Sequence, residues 1–270
     1  MKSLFDHDYH IHSFLSACSE DPTQTAERIL KYAKDEGLKK IVLTDHYWDE
    51  KIPLKNSWYA HQNTEHIKKS LPLPVSEGVE FCFGAEGELD ADCVLGISKE
   101  RFDELDFVVI PTTHMHMPGF EVFEDDEEQI KNRAKLWVER FEWLLSQDLP
   151  FHKIGVAHLA CTLGFSRALV HLPDALFAKG LDLIKNDDLY RVFSLAQKKG
   201  CGIELNKIDM DYNDITKNSV LRIFKVAKEC GCKFYFGSDT HKVIENEGTR
   251  EIFERAVVDL DLTEDDMFHF

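Results

Sequence analysis

The chain has 270 residues, enough for two average domains or for one α/β barrel, whose single core takes about 200 to 250 residues. Hydrophobic residues make up 43 % and charged residues 30 %, ordinary globular usage that permits a sizeable core and excludes a disordered polyanion. Thirty-two Lys and Arg against 49 Asp and Glu leave a formal charge of −17, which repels a phosphate backbone and argues against long nucleic acid as a partner.

No apolar run approaches the roughly 18 residues of a membrane span, and Met1 to His12 lacks the basic start and apolar middle of a signal peptide. The seven cysteines are odd in number, scattered, and mostly set in apolar segments such as Phe81-Cys82-Phe83, which suits reduced thiols. A cytoplasmic protein without membrane contact is the expectation.

The elements follow a repeated order of short apolar run, polar turn and amphipathic stretch, the pattern of β/α units on a parallel sheet. A first strand near Phe5 to Ile11 leads to a helix over about residues 22 to 37, with Ala26, Ile29, Leu30 and Ala33 on one face. Asp21 is its expected cap, Gln24 its capping-box partner and Gly37 its end. Ile41-Val42-Leu43 forms the second strand, followed by an aromatic loop with Trp48, Trp58 and Tyr59 and a short helix near 60 to 70. The third strand spans about Val79 to Gly84 and the fourth is Phe107-Val108-Val109-Ile110. The acidic run Glu124 to Glu128 starts a long helix whose stripe of Ile130, Ala134, Trp137, Val138, Phe141, Leu144 and Leu145 needs a sheet to cover. Strands five to seven are Ile154 to Ala157, Gly202 to Leu205 and Lys233 to Phe236, with helices near 187 to 199, 217 to 230 and 248 to 258. No linker or composition break interrupts them. Seven units without a central break favour one domain over residues 1–270, closed into a barrel.

The residue just beyond each apolar run is repeatedly a metal-ligand type. His10 and His12 follow strand one, Asp45-His46 strand two, Glu86 strand three, His114 and His116 strand four, His158 strand five, and Asp239 and His241 strand seven. In parallel α/β folds the carboxyl ends of the strands share one face, so these residues converge. Any one of these histidines alone reads as a satisfied core or loop residue. Seven of the thirteen histidines in one topological position do not. In His10-x-His12 both imidazoles point to one face and chelate one ion, as do Asp239 and His241. Imidazole and carboxylate without clustered thiolates suit zinc, manganese or iron in a reactive centre, and the donors exceed what one ion needs, so two or three divalent ions are implied.

Asp8-Tyr9-His10-Ile11-His12, Leu43-Thr44-Asp45-His46, Gly84-Ala85-Glu86, Pro111-Thr112-Thr113-His114, Ala157-His158 and Gly237-Ser238-Asp239-Thr240-His241 together resemble the polymerase and histidinol phosphatase (PHP) family. The ordered set runs from residue 8 to 241, nearly the whole chain. The resemblance implies a distorted (β/α)7 barrel, an α/β fold, with a trinuclear metal centre. By position, one metal takes His10, His12, Glu86 and Asp239; Glu86 bridges to a second held by His114 and His158; a third uses His46 and His241. The third metal's remaining ligand is usually His or Asp in the family, and here that position is Cys18. Either the Cys18 thiolate serves, or Glu20 or Asp21 reaches in, or the site is weaker or empty.

Around the metals, Glu86, Asp239 and His241 are the expected catalytic residues, and Asp45 is expected to orient an imidazole. Arg167, His116 and Asn206 are candidate substrate contacts, with Arg167 the phosphate-binding choice; Glu204 and Asn206 at the rim either meet the substrate or satisfy each other. His7 reads as a neighbour of the site. Residues Trp48 to Tyr59 either wall the pocket or simply pack their loop. The ions account for the chemistry: water between two metals loses its proton near neutral pH and attacks phosphorus. The expected activity is hydrolysis of a small phosphorylated metabolite, a phosphomonoester, with histidinol phosphate the first candidate by resemblance. A phosphodiesterase on cyclic or short nucleotides and a degenerate metal-binding regulatory module are the alternatives.

Overall fold

The structure is a computed structural model and describes residues 3–167 and 172–270. Its strands are β1 (His7–Ile11), β2 (Lys40–Leu43), β3 (His46–Tyr47), β4 (Glu80–Gly87), β5 (Phe107–Pro111), β6 (Ile154–Ala157), β7 (Gly202–Asn206) and β8 (Lys233–Gly237). All pair in parallel in the order β1-β2-β4-β5-β6-β7-β8, with the two-residue β3 beside the end of β4. β8 returns to β1 through an isolated bridge, Ile11 to Thr240, so the seven-stranded barrel is nearly closed. This is the distorted (β/α)7 barrel expected from the sequence, folded as a single α/β domain.

The helices around it are α1 (Ala26–Asp35), α2 (Thr64–Ile67), α3 (Lys99–Phe102), α4 (Asp126–Ser146), α5 (Asp174–Asp182), α6 (Asn186–Lys199), α7 (Lys207–Met210), α8 (Lys217–Glu229) and α9 (Thr249–Asp259). Among the described residues, no helix is long and apolar enough to cross a membrane. The apolar stripe of α4 is buried as its spacing requires, with Ile130, Trp137, Phe141, Leu144 and Leu145 fully covered.

Two helices start differently from expectation. α1 begins at Ala26 with Thr25 as its cap, because Asp21 is spent on the Thr23 amide and hydroxyl and on the Val243 amide. Gln24 is buried and donates its amide to the His12 carbonyl, tying the helix entry to the end of β1. The helix expected near 60 to 70 is one turn, α2, capped by Asn63 and continued by a tighter turn over Lys68–Ser70. The short α3, α5 and α7 carry no apolar repeat long enough to read from sequence.

Side chains alternate across each strand, and the two faces are segregated. Ile41, Leu43, Phe83, Ala85, Val108, Ile110, Val156, Ile203, Leu205, Phe234 and Phe236 belong to the outer core shared with the helices. Tyr9, Val42, Cys82, Phe107, Val109, Ala157 and Tyr235 pack with Phe268 as a separate inner core. Tyr235 fills so much of the interior that a Cβ at Gly155 would collide with its ring, so β6 tolerates only glycine there. β1 has a register irregularity between Asp8 and Ile11, which lets neighbouring Tyr9 and His10 both serve the barrel interior.

Candidate metal centre

Along the inward-facing positions the chemistry changes at one level. Above Cys82 on β4 the next inward positions are Gly84 and then Glu86, which is in the strand and not beyond it, since β4 runs three residues past the apolar stretch. On β7 the inward residues are Glu204 and Asn206, both fully buried. His158 and Asp239, just after β6 and β8, have φ of 33° and 52°, in the left-handed region that a non-glycine residue enters at a cost of about 1–3 kcal/mol. The surroundings enforce both. The His158 amide donates to Glu204 Oε2 at 2.7 Å and its carbonyl accepts from Thr113 Oγ1 at 3.1 Å, while the Asp239 amide donates to the His10 carbonyl at 2.7 Å.

Eight candidate ligands lie around the ninth, Glu86. His10 Nε2 and His12 Nε2 are 3.0 Å apart, and Asp239 Oδ1 lies 3.4 and 3.2 Å from them. Glu86 faces the same pair at 3.7 and 3.6 Å. On the other side its Oε1 is 3.3 Å from His158 Nε2 and 3.8 Å from His114 Nε2, whose rings stack. The third group is His46 with His241: the ring of His241 stacks on His12 at 4.1 Å, and His46 Nε2 is 3.1 Å from Cys18 Sγ. Donor atoms of His10, His12 and Glu86, of Glu86, His114 and His158, and of His12, His46 and His241 each fall within 4.8 Å of one another. Of the alternatives to Cys18, Glu20 pairs with Lys242 at 3.0 Å, and Asp21 is taken up by Thr23 and the Val243 amide.

The opposite nitrogens of five of these imidazoles are held by the protein. Nδ1 of His10 meets Glu204 at 2.6 Å, that of His114 meets Glu88 at 2.7 Å, and that of His241 meets the Asp239 carbonyl at 2.9 Å. Nδ1 of His158 meets Thr113 Oγ1 at 2.9 Å, and that of His12 meets Ser16 Oγ at 2.8 Å. Ser16 in turn donates to Asp45 at 2.8 Å, so Asp45 reaches an imidazole through a hydroxyl; Ser13 donates both its amide and its hydroxyl to the same carboxylate. Fixing Nδ1 leaves Nε2 turned to the centre, the arrangement that outer partners impose on metal-binding histidines.

The donor set fits divalent cations. His241 Nε2, His46 Nδ1 and Glu86 Oε2 are buried with no hydrogen-bond partner, the last two facing each other at 2.7 Å without hydrogen-bond geometry. Burial opposes charge throughout; attraction prevails at His10 and His46, held well above the usual imidazole range, and at Glu86 and Asp239, held well below the carboxylate range, whereas burial and the neighbouring His241 keep His12 well below the imidazole range. Burial likewise pushes the Cys18 thiol up, and His46 and His241 bring it down to about 7, near enough to a thiolate for zinc.

Above the centre opens a cavity of about 830 Å³, the size of a small-molecule site. Cys18, His46, Glu86, His114, Asp239 and His241 form its floor; Trp58, Tyr59, Met117, Pro118 and Leu163 form an apolar wall; Lys207, Asp211, Glu245 and Glu247 form a charged one. His116 also lines it, neutral because burial and His114 depress its pKa to about 3. The aromatic loop divides: Trp58 and Tyr59 face the cavity, while Trp48 is buried against Gly96.

One expectation changes, and the rim pair is satisfied within the protein. Arg167 is not among the lining residues: its guanidinium is bound to the Glu124 carbonyl and carboxylate and to Asp126, at the start of α4. Asn206 spends its amide on Glu204 and Asp239 and its carbonyl on capping α7 at the Ile208 amide. Glu204 orients His10 and holds the His158 backbone. His7, as expected, is a neighbour, bonded to Asp6 and to the Phe236 amide. Sequence reasoning missed Glu88, Thr113, Ser16 and Lys207. Glu88 was findable, being the next inward position after Glu86; Lys207 directly follows Asn206.

No protein-family model and no curated protein matches the chain. Among solved structures it is similar to the histidinol phosphate phosphatase of Lactococcus lactis subsp. lactis Il1403, complexed with zinc, L-histidinol and phosphate, at 16 % identity over 93 % of each chain and a TM-score of 0.54. It is also similar to the assigned histidinol phosphatase HisK of Listeria monocytogenes, at 13 % identity over 90 % of this chain and 97 % of the other, TM-score 0.53. The chain therefore has the fold of these two structures, with three groups of histidine and glutamate donors at its barrel mouth.

Proposed function

We propose that the chain is a metal-dependent phosphoesterase that hydrolyses a small phosphomonoester, with histidinol phosphate the first substrate to test. What carries this reading is the set of five imidazoles anchored through Nδ1 around Glu86, at the floor of a cavity of small-molecule size. His10, His12, Glu86 and Asp239 would hold one divalent ion, Glu86, His114 and His158 a second, and His46, His241 and Cys18 a third. Zinc has first claim among zinc, manganese and iron, given the zinc in the Lactococcus structure. Bound there, such ions acidify water and neutralise phosphoryl oxygens.

The chain's own residues do the rest. Glu204, Glu88, Thr113, Ser16 and the Asp239 carbonyl fix the imidazole orientations. Asp239 and His241, as ligands that border the cavity, would hold the water that protonates the leaving oxygen. Trp58, Met117, Pro118 and His116 receive the organic part of the substrate, and the carboxylates of Asp211, Glu245 and Glu247 oppose a long polyanion.

The test is metal content by elemental analysis, paired with hydrolysis of an aryl phosphate before and after chelation and for His12→Ala. Two or three ions per chain, with activity lost after chelation and in the variant, supports the reading and justifies assaying histidinol phosphate. Faster cleavage of a nucleotide diester than of its monoester product favours the phosphodiesterase. No retained metal and no activity after zinc or manganese is restored favours the degenerate module.

A further inference from the structure

With Arg167 engaged at α4, a phosphate dianion that the ions hold from one side needs another cationic side chain if the protein itself is to grip it. Its lining carries five carboxylates, Glu86, Asp211, Asp239, Glu245 and Glu247, and apart from histidines the one cationic side chain among the described lining residues is Lys207. The placement of Lys207 is set by the fold. It is the first residue after β7, and β7 ends with Asn206 paired in register with Gly237, so Lys207 emerges beside Ser238 and Asp239. The Asn206 amide, one residue away, lies 3.3 Å from Asp239 Oδ2.

The ammonium is held without being neutralised. Two of its three N–H groups donate to main-chain carbonyls, those of Glu245 and Glu247, the latter at 3.0 Å. No carboxylate oxygen lies within 4.0 Å of it among the described residues, whereas Arg167 meets two carboxylates. Carbonyl dipoles orient the charge and leave it available, and one N–H remains for an acceptor in the cavity. The side chain is half-buried, which strengthens an ion pair relative to one in bulk water. The same two carbonyls belong to the segment that follows His241, so the lysine also ties that segment to the end of β7.

We propose that Lys207 binds the phosphoryl group of the substrate, donating its remaining N–H to a non-bridging phosphoryl oxygen. This rests on the phosphoesterase reading and assigns the anion-binding role to a residue that the sequence did not single out. A contact made equally in the bound substrate and in the transition state governs binding, so its removal raises KM and leaves kcat little changed.

The experiment uses the full chain loaded with zinc or manganese and two variants, Lys207→Met and Lys207→Arg. Three readouts are taken: metal per chain, KM and kcat on an aryl phosphate, and the dissociation constant of inorganic phosphate by calorimetry. The expected result is that Lys207→Met keeps its metals but weakens phosphate binding and raises KM by roughly 10- to 100-fold, while Lys207→Arg recovers most of both. Unchanged phosphate affinity and KM in a metal-replete Lys207→Met overturns the assignment and leaves the phosphoesterase standing. Equal losses in Met and Arg variants with metal missing overturn it in favour of a purely structural lysine. A wild-type protein that holds its metals but neither cleaves a phosphoester nor binds phosphate overturns both readings.

Discussion

The two ends of the barrel use the same strands, but they are filled on opposite principles. At the amino end Tyr9, Val42, Cys82, Phe107 and Tyr235 meet the C-terminal Phe268 and Phe270, with Phe107 in ring contact with four of these aromatics. A few residues further along, the inward positions are His10, Glu86, Glu204 and Asn206. The amino end is held by area removed from water, a term that is non-directional and tolerates exchange. The carboxyl end is held by paired charges whose attraction must first offset the cost of taking them out of water, so it fixes position more than it adds stability. Each end should therefore fail in its own way when altered.

The largest effect is expected at Glu86, which faces His10, His12, His46, His114 and His158 at once. Glu86→Ala should cut metal content by more than one ion per chain and lower hydrolysis by at least about 100-fold, while the barrel still folds. Elemental analysis with circular dichroism decides this; full metal retention would remove Glu86 from its bridging position. Phe107→Ala makes the opposite cut. It should lower unfolding free energy by about 3–5 kcal/mol, read by denaturant titration, and leave metal stoichiometry and KM of the folded protein as they were. A loss of metal without loss of stability would mean that the two ends are not separable.

This division explains what the sequence disclosed. The seven strands and the convergence of the candidate ligands were legible because apolar runs mark strands, and because seven histidines recur at one topological position. The resemblance added the grouping into three metals. Glu88 and Glu204 were harder, since a carboxylate beside a histidine in space need not be near it in sequence: Glu204 and His10 are 194 positions apart. Arg167 misled because an arginine on a rim loop looks available until its neighbours are known, and the acidic start of α4 claims it. Lys207 gave no signal because its value lies in lacking a carboxylate partner, a property of the fold. The early start assigned to α1 has the same origin, since Asp21 bonds a residue more than 200 positions away.

A smaller change should come from Glu204→Gln. It keeps the shape and an acceptor for the His158 amide but removes the charge that holds His10 Nδ1 at 2.6 Å. Loss of such an outer partner costs about 10- to 100-fold in metal affinity or activity. A competition titration against a chelator would show it as weaker binding at one ion only; equal weakening at all ions would mean that Glu204 supports the strand and not the imidazole.

The smallest expected effect concerns Asp209 on α7, a carboxyl near the site that no ligand uses. It is buried, accepts the Ala160 amide through Oδ2 at 2.9 Å, and leaves Oδ1 without a partner. Burial raises its pKa from 3.8 to about 7, against the lowering effect of the Ala160 amide and His158. The folded protein thus binds this proton more tightly than the unfolded chain does. Below pH 4 both states are protonated and Asp209 carries no penalty; between pH 4 and 7 the unfolded chain ionises first, so stability is lost as pH rises through the folded pKa. Asp209→Asn retains an acceptor for Ala160 without that proton. In metal-free protein, the stability of the variant relative to wild type should therefore climb from pH 4 to 7 and level off above it, read as the difference in Tm at each pH. A difference that stays flat across this range would mean that Asp209 ionises as freely in the folded barrel as in the open chain, and that the carboxyl end is wetter beneath His158 than its burial implies.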